Sequence, residues 1–196
     1  LRPGPAMNPA QARAVDRINA GLHEFGVFLL DGVTGSGKTE VYLRVAEMVL
    51  AAQRQVLILV PEIGLTPQLV ARFRRRLPAH LAVMHSGLSH TERLRAWQKA
   101  RSGEAGIVLG TRSAVFTPLA RPGLLIVDEE HDASFKQQEG FRYSARDLLV
   151  WRARHLGVPV ILGSATPSLE SLYNVQQHRY NELRLPDRVG DARLPR

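Results

Sequence analysis

Apolar residues along this chain gather into short continuous runs, separated by longer stretches with helical periodicity. Residues 27–30, 55–60, 81–85, 106–110, 124–127 and 159–162 read as strands, and they run continuously rather than alternating with polar positions. Strands of that kind are covered on both faces. The helices between them carry clear starts. Asn8-Pro9 and Thr66-Pro67 each place a capping side chain before a proline, whose missing N–H is not needed in a first helical turn. Ser89 with Glu92 three residues later is a capping box. Helices are predicted over 10–22, 38–52, 67–77, 89–102 and 144–157, with a last one capped by Thr166-Pro167. Val41, Val45 and Val49 fall on one helix face. Alternating strands and helices predict an α/β fold of three layers, a mainly parallel sheet with helices on both faces. Residues 180–196 are polar and aperiodic and read as a linker, which leaves one domain over residues 1–179.

One inter-element stretch has a specific chemistry. Residues 32–39 read Gly-Val-Thr-Gly-Ser-Gly-Lys-Thr, between a predicted strand and a predicted helix. That is the spacing of a phosphate-binding loop. Gly32, Gly35 and Gly37 let the backbone approach an anion closely, and the N–H groups of Thr34 to Thr39 turn inward at the start of a helix whose dipole adds positive potential. Lys38 would reach the β- and γ-phosphates, Thr39 would hold Mg2+, and Glu40 follows in the first helical turn. The expected ligands are therefore ATP and Mg2+. A phosphate loop alone fits kinases, GTPases, ATPases and transporters equally well.

Composition changes this picture little. The net charge of +8 suits a polyanionic partner, although arginine outnumbers lysine 23 to 3 and the skew weakens that inference. No cysteine is present, so neither a disulfide nor a cysteine-bound metal centre lies in this stretch. No apolar run is long enough for a membrane-spanning helix.

The discriminating stretch is Leu124-Leu125-Ile126-Val127-Asp128-Glu129-Glu130-His131-Asp132, a buried strand that delivers acids at its carboxyl end. Open α/β sheets place their ligands there. Mg2+ retains most of its waters and needs few protein ligands, so Asp128 beside Thr39 suffices. Glu129 is then the carboxylate that orients an attacking water, which points to ATP hydrolysis.

The Asp-Glu-Glu-His sequence resembles motif II of superfamily 2 helicases of the DExH type, and Gly163-Ser164-Ala165-Thr166 resembles their motif III. The likeness extends to Val60-Pro61-Glu62-Ile63-Gly64-Leu65-Thr66, His85-Ser86-Gly87-Leu88-Ser89, Gly110-Thr111-Arg112-Ser113-Ala114 and Lys136-Gln137-Gln138-Glu139-Gly140. Together with Gly32 to Leu43, and taken in chain order over residues 8 to 175, these blocks resemble the primosomal replication-restart DNA helicases. The resemblance implies a RecA-like P-loop NTPase fold and an ATP-dependent, 3′-to-5′ DNA helicase. It implies that Gln11 reads the adenine edge, that His131 joins Lys38, Asp128 and Glu129 in catalysis, and that Ser164 and Thr166 couple nucleotide state to DNA. It further implies bacterial cytoplasmic localisation, associated with the nucleoid at replication forks. The implied partners are single-stranded and forked DNA, single-strand-binding protein, PriB and DnaT. An N-terminal DNA-binding domain, a second RecA-like lobe and a cysteine-rich zinc module belong to the family, so this chain is expected to be the first lobe alone.

DNA contact is expected at Phe135, Lys136, Phe141, Arg142 and Tyr143, where three aromatics and two bases fall within nine residues just after the acids. Aromatic faces stack on unpaired bases for about 1–3 kcal/mol each. One of the three is expected to pack inward. Thr111, Arg112 and Ser113 would donate to phosphates, whereas Arg72, Arg74, Arg75 and Arg76 read as a solvated helix face. Two other functions keep the same residues: a superfamily 2 translocase on duplex DNA, and a non-catalytic nucleotide-binding switch.

Overall fold

A computed structural model of the chain describes residues 4–189. In chain order the elements are α1 (Pro9–Ala20), β1 (Val27–Gly32), α2 (Lys38–Ala51), β2 (Gln55–Leu59), α3 (Pro67–Arg76), β3 (His80–Met84), α4 (His90–Ser102), β4 (Ala105–Gly110), β5 (Pro122–Val127), β6 (Lys136–Gln137), β7 (Tyr143–Ser144), α5 (Ala145–Leu156), β8 (Val160–Ser164), α6 (Leu169–Gln176) and β9 (Asn181–Leu185). Seven strands form one sheet in the order β3-β4-β2-β5-β8-β1-β9, and every pairing in it is parallel. β6 and β7 form a separate antiparallel pair.

The alternation of side chains along each strand divides the core in two. Phe28 and Leu30 face one layer with Ile18 of α1, Val41 and Val45 of α2 and Phe73 of α3. Val27 and Leu29 face the other, with Ala100 of α4 and Leu149 and Ala153 of α5. Both faces of the sheet are therefore dry, which explains its continuous apolar runs. Among the described residues no helix is long and apolar enough to cross a membrane.

The predicted caps at Asn8, Thr66 and Ser89 are all present, and Asn8 and Ser89 each complete a capping box. Two readings need correction. Ser168, not Thr166, caps α6, because its hydroxyl accepts from the Ser171 N–H. The stretch read as a linker contains β9, which adds to the edge of the sheet beside β1; residues 190–196 lie outside the described part.

A parallel sheet sends all its strand ends to one edge. β8 lies between β1 and β5, so the loop after β1 and the acids after β5 are separated by one strand. That edge is where the site forms.

Candidate nucleotide-binding site

The loop between β1 and α2 turns on Gly35 and Gly37, both in the left-handed region with φ of 82°. Gly37 also has no room for a side chain, since a Cβ there would run into the Gln11 amide. Gln11 is buried: its Nε2 donates to Ser36 O at 2.9 Å, and its Oε1 accepts from Asn8 N at 2.9 Å. One N–H and one lone pair of that amide remain. Lys38 Nζ donates to Gly32 O at 2.8 Å and lies 3.8 Å from Glu129 Oε1. Ser36 Oγ is buried without a partner among the described residues.

A cleft of about 410 Å³ lies over this loop, lined by Gln11, residues 34–40, Arg72, Asp128 and Glu129, with Pro5, Ala6 and Val189 at its margin. Thr39 and Asp128 thus share one cavity. The Asp128 carboxylate, half-buried in the wall of this cleft, accepts from the Tyr42 hydroxyl at 2.8 Å. Burial raises its pKa and the nearby Glu129 charge adds to the rise, while the Tyr42 hydrogen bond opposes it. The Tyr42 hydroxyl is in turn pushed well above its ordinary value, by burial first and by Asp128 second. A Cβ at Gly163 would overlap the Tyr42 hydroxyl, so the glycine on β8 is what lets Tyr42 reach Asp128. Sequence reading missed this pair. Tyr42 looks like one more core residue of α2.

Glu129 adopts φ of 50°, a left-handed conformation that costs a non-glycine residue energy and recurs at functional sites. His131 Nδ1 lies 2.7 Å from Ser164 Oγ, which also accepts from Thr166 N at 2.9 Å. Thr166 itself is exposed.

Two residues named from the sequence have other partners. Glu40 borders the cleft, but its carboxylate is already engaged: it receives both terminal nitrogens of Arg76, at 2.8 and 2.9 Å, and Arg44 Nε at 3.0 Å. Arg76 is accordingly largely buried rather than solvated, and Arg72 reaches the nucleotide cleft. Arg112 does not project freely either. Its Nη1 donates to Ser134 O at 3.0 Å and Lys136 O at 3.4 Å. Thr111 is buried and Ser113 is exposed.

Of the three aromatics after the acids, Phe135 is the one packed inward, at 1 % exposure, while Phe141 is 78 % exposed at the tip of the β6–β7 hairpin. Tyr143 packs edge-on against Phe116 with centroids 5.1 Å apart. Lys136, Arg142 and Tyr143 line an open concavity of about 500 Å³. A larger groove of about 620 Å³ follows the same sheet edge past β2 and β3, lined by Glu62, Leu65, Arg74, Arg75, His85 and Thr111.

The sequence profile described as DEAD/DEAH box helicase matches residues 8–175. Replication restart protein PriA of Haemophilus influenzae is 55 % identical over 187 residues, which is 95 % of this chain and 25 % of that protein. The PriA of Bacillus subtilis is 50 % identical over 172 residues, 88 % of this chain and 21 % of that protein. The chain thus spans about a quarter of the length of these relatives. Among solved structures, RecG bound to a three-way DNA junction superposes with a TM-score of 0.72 at 22 % identity, covering 98 % of this chain and 25 % of that one. A hypothetical ATP-dependent RNA helicase from Sulfolobus tokodaii gives 0.65 at 18 % identity, over 92 % of this chain and 53 % of that one. Both have the helicase-lobe fold of this chain, a RecA-like parallel sheet. Carrying the family's profile over most of its length, the chain belongs to the DEAD/DEAH box helicases.

Proposed function

We propose that this chain is the ATP-binding first lobe of an ATP-dependent DNA helicase that restarts stalled replication forks, translocating 3′ to 5′ on single-stranded DNA. The observation that carries the reading is the meeting of Lys38, Asp128 and Glu129 in one cleft over a phosphate loop. Lys38 leaves Gly32 O to reach the β- and γ-phosphates, and the N–H groups of residues 35–39 hold their oxygens. The remaining donor and acceptor of Gln11 face the adenine edge.

The donor set suits Mg2+. A hydroxyl at Thr39 and one desolvated carboxylate at Asp128 share the cleft, and a divalent cation favours the ionised form that burial disfavours. Bound there, Mg2+ supplies charge neutralisation at the phosphates. Glu129 orients the attacking water and accepts its proton, while His131 and Ser164 fix the carboxylate's surroundings. Exposed Phe141, with Lys136, Arg142 and Tyr143, offers a stacking and charged face to unpaired DNA, and Thr111, Ser113 and the Arg74–Arg75 groove extend it along the sheet edge.

In such motors ATP lies between two lobes, and an arginine from the second is worth about 10³–10⁵ in rate. This chain alone therefore binds ATP weakly and turns it over very slowly. Similarity to replication restart proteins makes single-strand-binding protein, PriB and DnaT the partners to test, at forks in the bacterial cytoplasm. Glu129→Gln in the full-length protein that carries this segment is the direct test: a motor loses DNA-stimulated ATP turnover and keeps ATP binding. Equal loss of both, or equal ATPase activation by blunt duplex and forked DNA, would refute the reading.

A further inference from the structure

The third acid after β5 is used by none of the chemistry above, yet it is the most enclosed. The Glu130 side chain is 0 % exposed. Its Oε2 accepts from Arg146 Nη1, Ser168 Oγ and Ser171 Oγ, each at 3.0 Å, and its Oε1 accepts from Ser168 N at 2.7 Å. The Glu130 N–H donates to Gly163 O at 2.9 Å. The Glu130 carboxylate thereby ties the end of β5 to the first turns of α5 and α6, and its backbone N–H adds the end of β8.

Burying such a pair is a poor route to stability, because desolvation offsets most of the attraction and a well-packed apolar substitute does as well. What the pair does supply is a fixed geometry, and its position gives that geometry a use. Arg146 belongs to the first turn of α5, and Ser144, the last residue of β7, is the cap of that helix. Arg146 therefore moves with the carboxyl-side stem of the aromatic hairpin. Glu130 is joined by one peptide bond to Glu129 and by another to His131. A displaced hairpin must carry Glu130 along or leave a buried carboxylate short of its cation. Glu129, at φ of 50°, is the residue whose backbone has a lower-energy conformation to move into. A cavity of about 180 Å³ bounded by Glu130, His131, Phe135, Ser144 and Arg146 gives the side chains room to shift.

We infer that Arg146 is a positioning residue for ATP hydrolysis. Through its buried pair with Glu130 it transmits contact at the aromatic hairpin to Glu129 and His131. This rests on the reading of the hairpin as a single-strand DNA contact. The other stem, held by Arg112 through the carbonyls of Ser134 and Lys136, reaches the acids along the backbone instead, through the Asp132 N–H to Glu129 O and Phe135 N–H to Asp132 O bonds.

The test uses the full-length protein carrying this segment, with Arg146→Gln, Glu130→Gln and Arg146→Lys. ATP turnover is measured with and without oligothymidylate, alongside equilibrium binding of the oligonucleotide and of a non-hydrolysable ATP analogue. In Arg146→Gln and Glu130→Gln the stimulated rate should fall about tenfold, with both affinities held within about twofold, as expected for a lost coupling term. Arg146→Lys, which keeps the charge and a donor, should recover part of the stimulation. If Arg146→Gln does not fold, Arg146→Lys and Glu130→Gln decide alone. Stimulation at the wild-type ratio in these variants would overturn the link, as would an equal fall of stimulated and unstimulated rates. A wild-type protein whose ATPase ignores oligothymidylate would instead overturn the DNA-contact reading beneath it.

Discussion

His131 Nδ1 and Ser164 Oγ meet at 2.7 Å, joining the ends of two adjacent strands, β5 and β8, beside the phosphate loop. Ser164 is buried and holds Thr166 N as well, so one hydroxyl serves both the acidic motif and the turn that follows β8. Ser164→Ala leaves that N–H and His131 without their partner. The cost to stability should be modest, about 1 kcal/mol, in a chemical denaturation curve. DNA-stimulated ATP turnover should fall much further than that. A variant with wild-type turnover would dissociate the pair from function.

Asp128 makes a prediction about pH and stability together. Burial first, and the Glu129 charge second, raise its carboxyl pKa in the folded chain. The fold therefore prefers the protonated group. Its contribution is fully present below the ordinary value of 3.8 and is lost as pH rises through the raised one. At neutral pH the carboxylate is thus a net burden on the nucleotide-free chain. Asp128→Asn should raise the melting temperature at pH 7 while abolishing Mg2+-dependent turnover, and its thermal advantage should shrink towards acid pH. A lower melting temperature at pH 7 would contradict the assignment of that burden.

Gly163→Ala tests the contact that Gly163 makes possible. The added Cβ would occupy the space of the Tyr42 hydroxyl, which among the described residues has only Asp128 as its side-chain partner. The ring is 1 % exposed and cannot swing into solvent without opening the core. Overpacking of this kind costs about 1–3 kcal/mol. Denaturation midpoints of Gly163→Ala and of Tyr42→Phe should both drop, the first by more. Equal stability of Gly163→Ala and the wild type would mean that Tyr42 does not need this space.

Arg112 separates an internal strap from a phosphate contact. Its guanidinium is engaged by Ser134 O and Lys136 O. Arg112→Ala should therefore speed amide hydrogen exchange over residues 134–144 in the DNA-free chain. A phosphate ligand, by contrast, would reduce the salt dependence of DNA binding by about one unit of slope when removed. Unchanged exchange with a reduced slope would return Arg112 to the role read from the sequence.

Most of the fold was legible because its signals are local. Continuous apolar runs specify buried parallel strands, and the side-chain caps at Asn8, Thr66 and Ser89 specify helix starts. β9 escaped for a physical reason. As an edge strand beside β1 it buries little beyond Leu185, and Asn181-Glu182-Leu183-Arg184-Leu185 carries charges that suit an exposed edge. Within the site, the phosphate loop and the acids were legible because their spacing is fixed by the ligand. The Tyr42–Asp128, Arg76–Glu40 and Arg146–Glu130 contacts were not, since each joins residues 16 to 86 positions apart by tertiary packing alone. Four arginines among the last five residues of α3 gave no hint that Arg76 alone would turn inward.

The proposed ATP site depends on Lys38 in the phosphate loop. Calorimetric titration of an ATP analogue with Mg2+ into this 196-residue chain, wild type beside Lys38→Ala, tests it most directly. Weak, saturable, one-to-one binding that requires Mg2+ and is lost in Lys38→Ala is the expected result. No binding by the wild type, or equal binding by both proteins, would contradict it.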